Sequence, residues 1–197
     1  MNQFSKITLS VLFVASAIFT TSCSKSEDAV VTPETPSIYA RLGGTTMVAD
    51  PNNPGMMIEQ GRLSYRKVVT STINLIVADI QAGAPGNLQP HFAPVLAETG
   101  STQATSIARL NKNLTDFFSY NTGGNTPGNL YVGLNMTAAH NPANNPRMGA
   151  KSNTAQYTKF VGYVGAAANA NGVASNTQLY TDIVAVLESL RSTIVQI

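Results

Sequence analysis

The chain has one cysteine, two histidines and few charges among its 197 residues. A single thiol, Cys23, rules out a disulfide within the chain, so stability rests on packing or on a bound ligand. Two histidines and one cysteine leave no cluster with zinc-site spacing. There is no serine–histidine–acid arrangement and no phosphate-cradling glycine loop, so hydrolytic and nucleotide chemistry lack support. Residues 1–22 hold one lysine and no acid; the rest hold 11 Lys and Arg against 10 Asp and Glu, a net charge of +1. That balance gives no electrostatic footprint for nucleic acid. The apolar stretch Ile7–Phe19 has 13 residues, too few to cross roughly 30 Å of hydrocarbon as a permanent helix. Strand-type alternation is also missing, and the chain reads as all-α.

What is present begins at the N-terminus. Lys6, the Ile7–Phe19 core and the small residues Thr20-Thr21-Ser22 have the layout of a secretory signal peptide over 1–22. Cys23 follows directly, and this junction resembles the lipobox of bacterial lipoproteins. In that family the cysteine is lipidated and becomes the mature N-terminus. The alternative is a soluble exported protein with a stray cysteine. The resemblance implies an envelope protein anchored to the outer membrane through Cys23, each buried CH₂ of its acyl chains contributing about 0.8 kcal/mol. Residues 23–36 are polar and proline-bearing and read as a flexible tether. Within them Lys25-Ser26-Glu27-Asp28 resembles the export signal of surface-exposed lipoproteins, a solvated linker being the alternative. Residues 37–197 suit one domain with one core.

Four segments of that domain have a helical period. Leu63–Gln81 places Val69, Ile73, Ile76, Val77 and Ile80 on one face. Ser106–Tyr120 does the same with Ile107, Leu110, Leu114, Phe117 and Phe118. Thr154–Asn169 turns Tyr157, Phe160, Val161 and Val164 inward, and its Ala166-Ala167-Ala168 end permits close helix approach. Asn176–Ile197 contributes Leu179, Ile183, Val186, Leu187, Leu190 and Ile194. The segments 49–61, 83–90, 121–129 and 141–149 are rich in Asn, Gly and Pro and read as loops. Loops this long suit a ligand-supported fold better than a simple bundle.

Three blocks, in order, resemble group I truncated haemoglobins. Ser37-Ile38-Tyr39-Ala40-Arg41-Leu42-Gly43-Gly44 is similar to the family's opening helix and glycine pair. Leu110 to Phe118, followed by Thr122-Gly123-Gly124, resembles its distal E helix, double phenylalanine and second glycine pair. Leu130 to His140 fits the pattern Tyr-x-Gly-x-x-Met-x-x-x-His, in which the histidine binds haem iron. The resemblance covers about Ser37 to the C-terminus. It implies a truncated-globin fold, a 2-over-2 helical sandwich with long loop insertions, holding haem b through a proximal His140.

The residues agree with that chemistry. Haem iron needs a neutral imidazole, and porphyrin needs an apolar slot. Met136, one turn before His140, is expected to pack on the porphyrin. Phe117 is expected at the core or against the haem, and Phe92 resembles the phenylalanine that stacks on the haem at the corner before the E helix. The alignment puts Ile73, Leu110 and Leu114 where many relatives have the tyrosine and glutamine that hydrogen-bond the iron's ligand. The distal face is therefore expected to be apolar, weakening O₂ binding relative to CO and NO. The insertions at Met47–Gly61 and Ala93–Thr105 offer routes for another polar group. Tyr65, Gln103 and His91 are the candidates, His91 either as a sixth iron ligand or as a loop histidine beside Phe92. Asn141-Pro142 should end the proximal helix at His140.

These readings point to a binding protein rather than an enzyme. Its partners would be haem, a diatomic gas (O₂, NO or CO) and the membrane, with a reductase or haem-transfer partner undefined. Two alternatives stay open: a haem-capturing or haem-transfer lipoprotein, and a globin-like fold that has lost haem.

Overall fold

The computed structural model describes residues 34–98 and 100–197, the side chains of 100–105 excepted. Cys23 and the signal peptide lie outside the described residues, as does most of the tether. Thr35–Ile197 forms one compact unit. It is mostly helical, as the periodicities require. The elements are α1 (Ile38–Arg41), β1 (Met47–Ala49), β2 (Met57–Glu59), α2 (Gln60–Gln81), α3 (Gln89–Leu96), α4 (Gly100–Asn121), α5 (Met136–Ala139), α6 (Thr154–Ala170), α7 (Gln178–Ser189) and α8 (Arg191–Ile194). A single turn of 3₁₀ helix covers Pro127–Asn129.

Helix α2 is central, packed on α4 and on α6, while α6 also meets α7. The shared core holds Tyr65, Val69 and Ile73 from α2, Phe118 from α4, Val164, Ala167 and Ala168 from α6, and Ile183 and Leu187 from α7. Ala167 and Ala168 are fully buried, and their lack of bulk lets α6 approach α2. Local sequence starts the helices well. Asn153 and Gln156 form a reciprocal capping box at α6, each side chain accepting from the other's backbone N–H at 3.0 Å. Thr177 caps α7 by accepting from the Tyr180 N–H at 3.2 Å. The fourth helical segment does not run through to Ile197. The Tyr157 hydroxyl donates to the Leu187 carbonyl at 2.6 Å. That carbonyl is the acceptor the Arg191 N–H would use in a continuing helix. The chain instead turns at Leu190, forms α8, and bridges Val195 to Ser152.

Two elements lie where the sequence reading placed loops. The antiparallel hairpin β1–β2 pairs Val48 with Ile58 and covers most of the Met47–Gly61 insertion. Arg66 of α2 bonds both carboxylate oxygens of Asp50 at 2.6 and 3.1 Å, which ties the hairpin to α2 and holds the Asp50 carboxyl well below the usual range. Helix α3 forms despite Pro90 and Pro94. Pro90 sits in the first turn, where no intrahelical N–H is needed.

A polar network joins α2, α4 and the 3₁₀ turn. Arg62 donates to Asp116 at 2.6 Å and to the fully buried Asn129 at 2.9 Å. Asn129 in turn donates to the Tyr39 hydroxyl and to Glu59 at 3.0 and 2.8 Å. These bonds fix where the chain leaves α4, and so where the 130–140 segment begins.

Candidate functional site

One large cavity, about 530 Å³, opens between α3, α4, the 130–148 segment, α6 and the α7–α8 end. Its volume falls within the roughly 300–1,000 Å³ of small-molecule and cofactor sites. Its walls are mainly apolar and aromatic. From α3 come His91, Phe92 and Val95; from α4, Leu110, Leu114, Phe117 and Phe118. The 130–140 segment adds Tyr131, Met136 and His140, and α6 adds Tyr157 and Phe160. Phe117 meets the rings of Phe118 and Tyr131 edge-on, with centroids 5.4 and 5.3 Å apart. The Tyr131 hydroxyl donates to the Leu134 carbonyl at 2.7 Å. That ring lies over Gly133, where a Cβ would collide with it, which accounts for the Tyr-x-Gly spacing.

His140 is the C-cap of α5, so that helix ends there, as Asn141-Pro142 led one to expect. Asn135 opens that helix, its side chain accepting from the Ala138 N–H at 2.9 Å. The ring of His140 is held by its own turn: Nδ1 lies 2.8 Å from the Met136 carbonyl. A carbonyl only accepts, so Nδ1 carries the proton and the Nε2 lone pair is free. Burial pushes the His140 imidazole below the ordinary histidine range. The Met136 carbonyl opposes that shift, and the charge His91 can carry adds to it. A neutral imidazole oriented by a backbone carbonyl is the form a metal-ligating histidine takes.

His91 is not a loop residue. It lies within α3, 3% exposed, and lines the same cavity. Its backbone carbonyl accepts from the Gly149 N–H at 2.9 Å, and its Nδ1 donates to the Ala150 carbonyl at 3.0 Å. Its Nε2 is buried and has no hydrogen-bond partner. A buried polar atom left in that state costs about 1–3 kcal/mol.

Six of the seven expected haem contacts share this cavity: Phe92, Leu110, Leu114, Phe117, Met136 and His140. Ile73 does not. It shares a narrow gap with Phe92, Val95 and Leu110. Phe92 and Leu110 line both spaces and so stand between Ile73 and the cavity. Tyr65 is also elsewhere, buried between the rings of Tyr39 and Phe118, its hydroxyl bonded to Thr122 at 2.7 Å. No residue of the hairpin lines the cavity, and the Gln103 side chain is outside the described ones. The α4 wall is less apolar than expected, because Arg109 and Asn113 border it. Arg147 lines the cavity as well, its guanidinium donating to the Ser106 carbonyl at 3.0 Å and lying 3.6 Å from Glu98. Sequence reasoning did not pick out Arg109 or Arg147. Nothing in their spacing marks them, since separate segments bring them together.

Among the described residues no three His, Cys, Asp or Glu side chains converge as a metal cage. The cavity wall carries two imidazoles, those of His91 and His140, among apolar and aromatic side chains. Compared with models of known protein families, with curated proteins and with solved structures, the chain matches none.

Proposed function

We propose that this domain is a truncated-globin-like haem protein, with His140 as proximal iron ligand. The observation that carries the reading is the His140 ring: Nδ1 is held by Met136, and Nε2 is left free in a cavity of about 530 Å³. Phe92, Phe117, Met136 and Leu114 supply apolar contacts, and Arg109 and Arg147 are cations suited to the haem carboxylates. Haem b, when bound, supplies an iron centre that takes up a small gas. The chain's part is to hold it, fix the imidazole and exclude water. An N-terminal lipid at Cys23 would keep the domain at the outer membrane of the cell envelope. The mainly apolar and aromatic lining favours binding of O₂, NO or CO.

A haem-capturing role has its own support. Val132 and Leu134 line the cavity yet are 80% and 46% exposed, an apolar rim of the sort a transfer partner contacts.

The test is a haemin titration of the purified full chain. One equivalent should develop a Soret band, and His140→Ala should abolish or shift it. A parent protein that takes up no haemin would leave a haem-free globin-like fold, and the proposal would be dropped.

A further inference from the structure

We propose that the loop Leu130–Leu134 is a membrane-docking surface, lowered into the bilayer to which Cys23 anchors the chain. This rests on the lipid at Cys23 and not on the haem. It grows from a juxtaposition: the exposed apolar loop starts at the corner of the domain where the N-terminal tether joins it.

Leu130, Val132 and Leu134 are 52%, 80% and 46% exposed. Tyr131, between them, turns the other way, its ring edge-on to Phe117 in the cavity wall. The loop is held in this form, because the Tyr131 hydroxyl donates to the Leu134 carbonyl and the ring covers Gly133. Three large apolar side chains within five residues, presented by a fixed turn, mark a contact surface rather than scattered surface residues.

Two observations favour a bilayer over a protein as the occupant. The first is where the tether joins. Ser37 lies so close to Gly123 that a Cβ there would stand 2.5 Å from it. The Tyr39 N–H donates to the Thr122 carbonyl at 3.0 Å, and the Tyr39 hydroxyl accepts from Asn129 at 3.0 Å. Leu130 follows Asn129 directly, so one tyrosine links the end of the tether to the start of the loop. A polar, proline-bearing stretch as long as residues 23–36 spans about 20 Å on average. A compact domain of this size is about 40 Å across. Lipid on Cys23 therefore keeps this corner against the membrane. The second observation is charge. From Phe117 to Thr181 the chain has no Asp or Glu, so neither the loop nor α5 and α6 after it bring a carboxylate to be desolvated. Arg109, exposed on the border of the same cavity, suits lipid phosphate.

Val132 and Leu134 also line the cavity. Docking puts that side of its mouth at the acyl boundary, where an apolar ligand enters from the bilayer without crossing water.

The chain has no tryptophan, so one introduced by substitution reports on its own surroundings alone. The experiment uses the full chain with Val132→Trp or, as the comparison, Leu75→Trp. Leu75 is exposed on α2, about 21 Å along that helix from Gly61, which meets the Tyr39 ring. Each variant is coupled through Cys23, the only thiol, to maleimide lipid in phosphatidylcholine vesicles. The apolar stretch 7–19 is common to both, so a difference between them belongs to the loop. The Val132→Trp emission should shift to the blue on coupling. Brominated acyl chains should quench it at least about twofold, as burial 5–10 Å into the headgroup boundary requires. Leu75→Trp should show neither change. Adding Leu130→Asp and Leu134→Asp to Val132→Trp should remove both effects. Should Val132→Trp not fold, Leu134→Trp replaces it. Emission unmoved at 132, or equal quenching at 132 and 75, would overturn the proposal. A blue shift without quenching would overturn it as well, and would give the rim to a protein contact. Because the anchor is made chemically, the result does not depend on whether Cys23 is lipidated in the cell, and a failed docking test would leave that lipid intact.

Discussion

The ring of Tyr39 packs against Gly124: a Cβ at 124 would stand 2.8 Å from the ring and 2.7 Å from the Ser119 carbonyl. Gly61 meets the same ring from α2. The first and second glycine-bearing blocks of the sequence are thus one contact, in which α1 is seated by the absence of side chains opposite it.

Gly124→Ala should therefore destabilise the domain without reaching the cavity. Overpacking of this kind costs about 1–3 kcal/mol. For a domain of this size each kcal/mol lowers the melting midpoint by roughly 2–4 °C. Thermal unfolding followed by circular dichroism measures it; an unchanged midpoint would mean that α1 is not seated on Gly124.

Alkaline conditions should loosen the same corner and the α6–α7 contact that Tyr157 makes with the Leu187 carbonyl. Burial, helped by the neighbouring Glu59, pushes the Tyr39 hydroxyl up to about 12, and burial does the same for Tyr157. Both ionise near 10 in the unfolded chain. Below that pH both states keep the proton and stability is constant. Between about 10 and 12 only the unfolded chain gives it up, so stability falls as pH rises through that window. Denaturant midpoints measured from pH 8 upward should show the decline, and Tyr39→Phe should make it shallower.

The gas site should release O₂ quickly. Leu110 and Leu114 offer no donor, and a neutral hydrogen bond is worth about 0.5–1.5 kcal/mol. Leu114→Gln should slow O₂ release up to roughly tenfold by stopped flow. Slow release before that change, and none gained after it, would assign the donor to Arg109 or Asn113 on the same wall.

Membrane attachment tests the N-terminus. In a diderm bacterial host, Cys23→Ala should move the protein from the membrane fraction to the soluble one. Unchanged fractionation would argue against lipid at Cys23.

Much of the helical framework was legible because amphipathic period is a local property. The segment ending at Gln81 and the one starting at Thr154 met their helix boundaries closely, and the latter carries its own capping box. Hairpin β1–β2 and helix α3 were not legible. Three-residue strands leave no alternation to detect, and Pro90 and Pro94 disguise α3 as a loop.

The candidate site divides in the same way. The sequence by itself determined which residue types were available: two histidines, an aromatic-rich α4, and a Met one turn before His140. Only the tertiary structure decided who faces whom. It put Ile73 behind Phe92 and Leu110, took Tyr65 into the core through Thr122, and brought Arg109 and Arg147 to one cavity. It also turned His91 from a loop residue into a buried imidazole held by Ala150. The reason is physical: periodicity records which face of a helix is apolar, while the neighbour that covers that face is set by contacts between segments far apart in the chain.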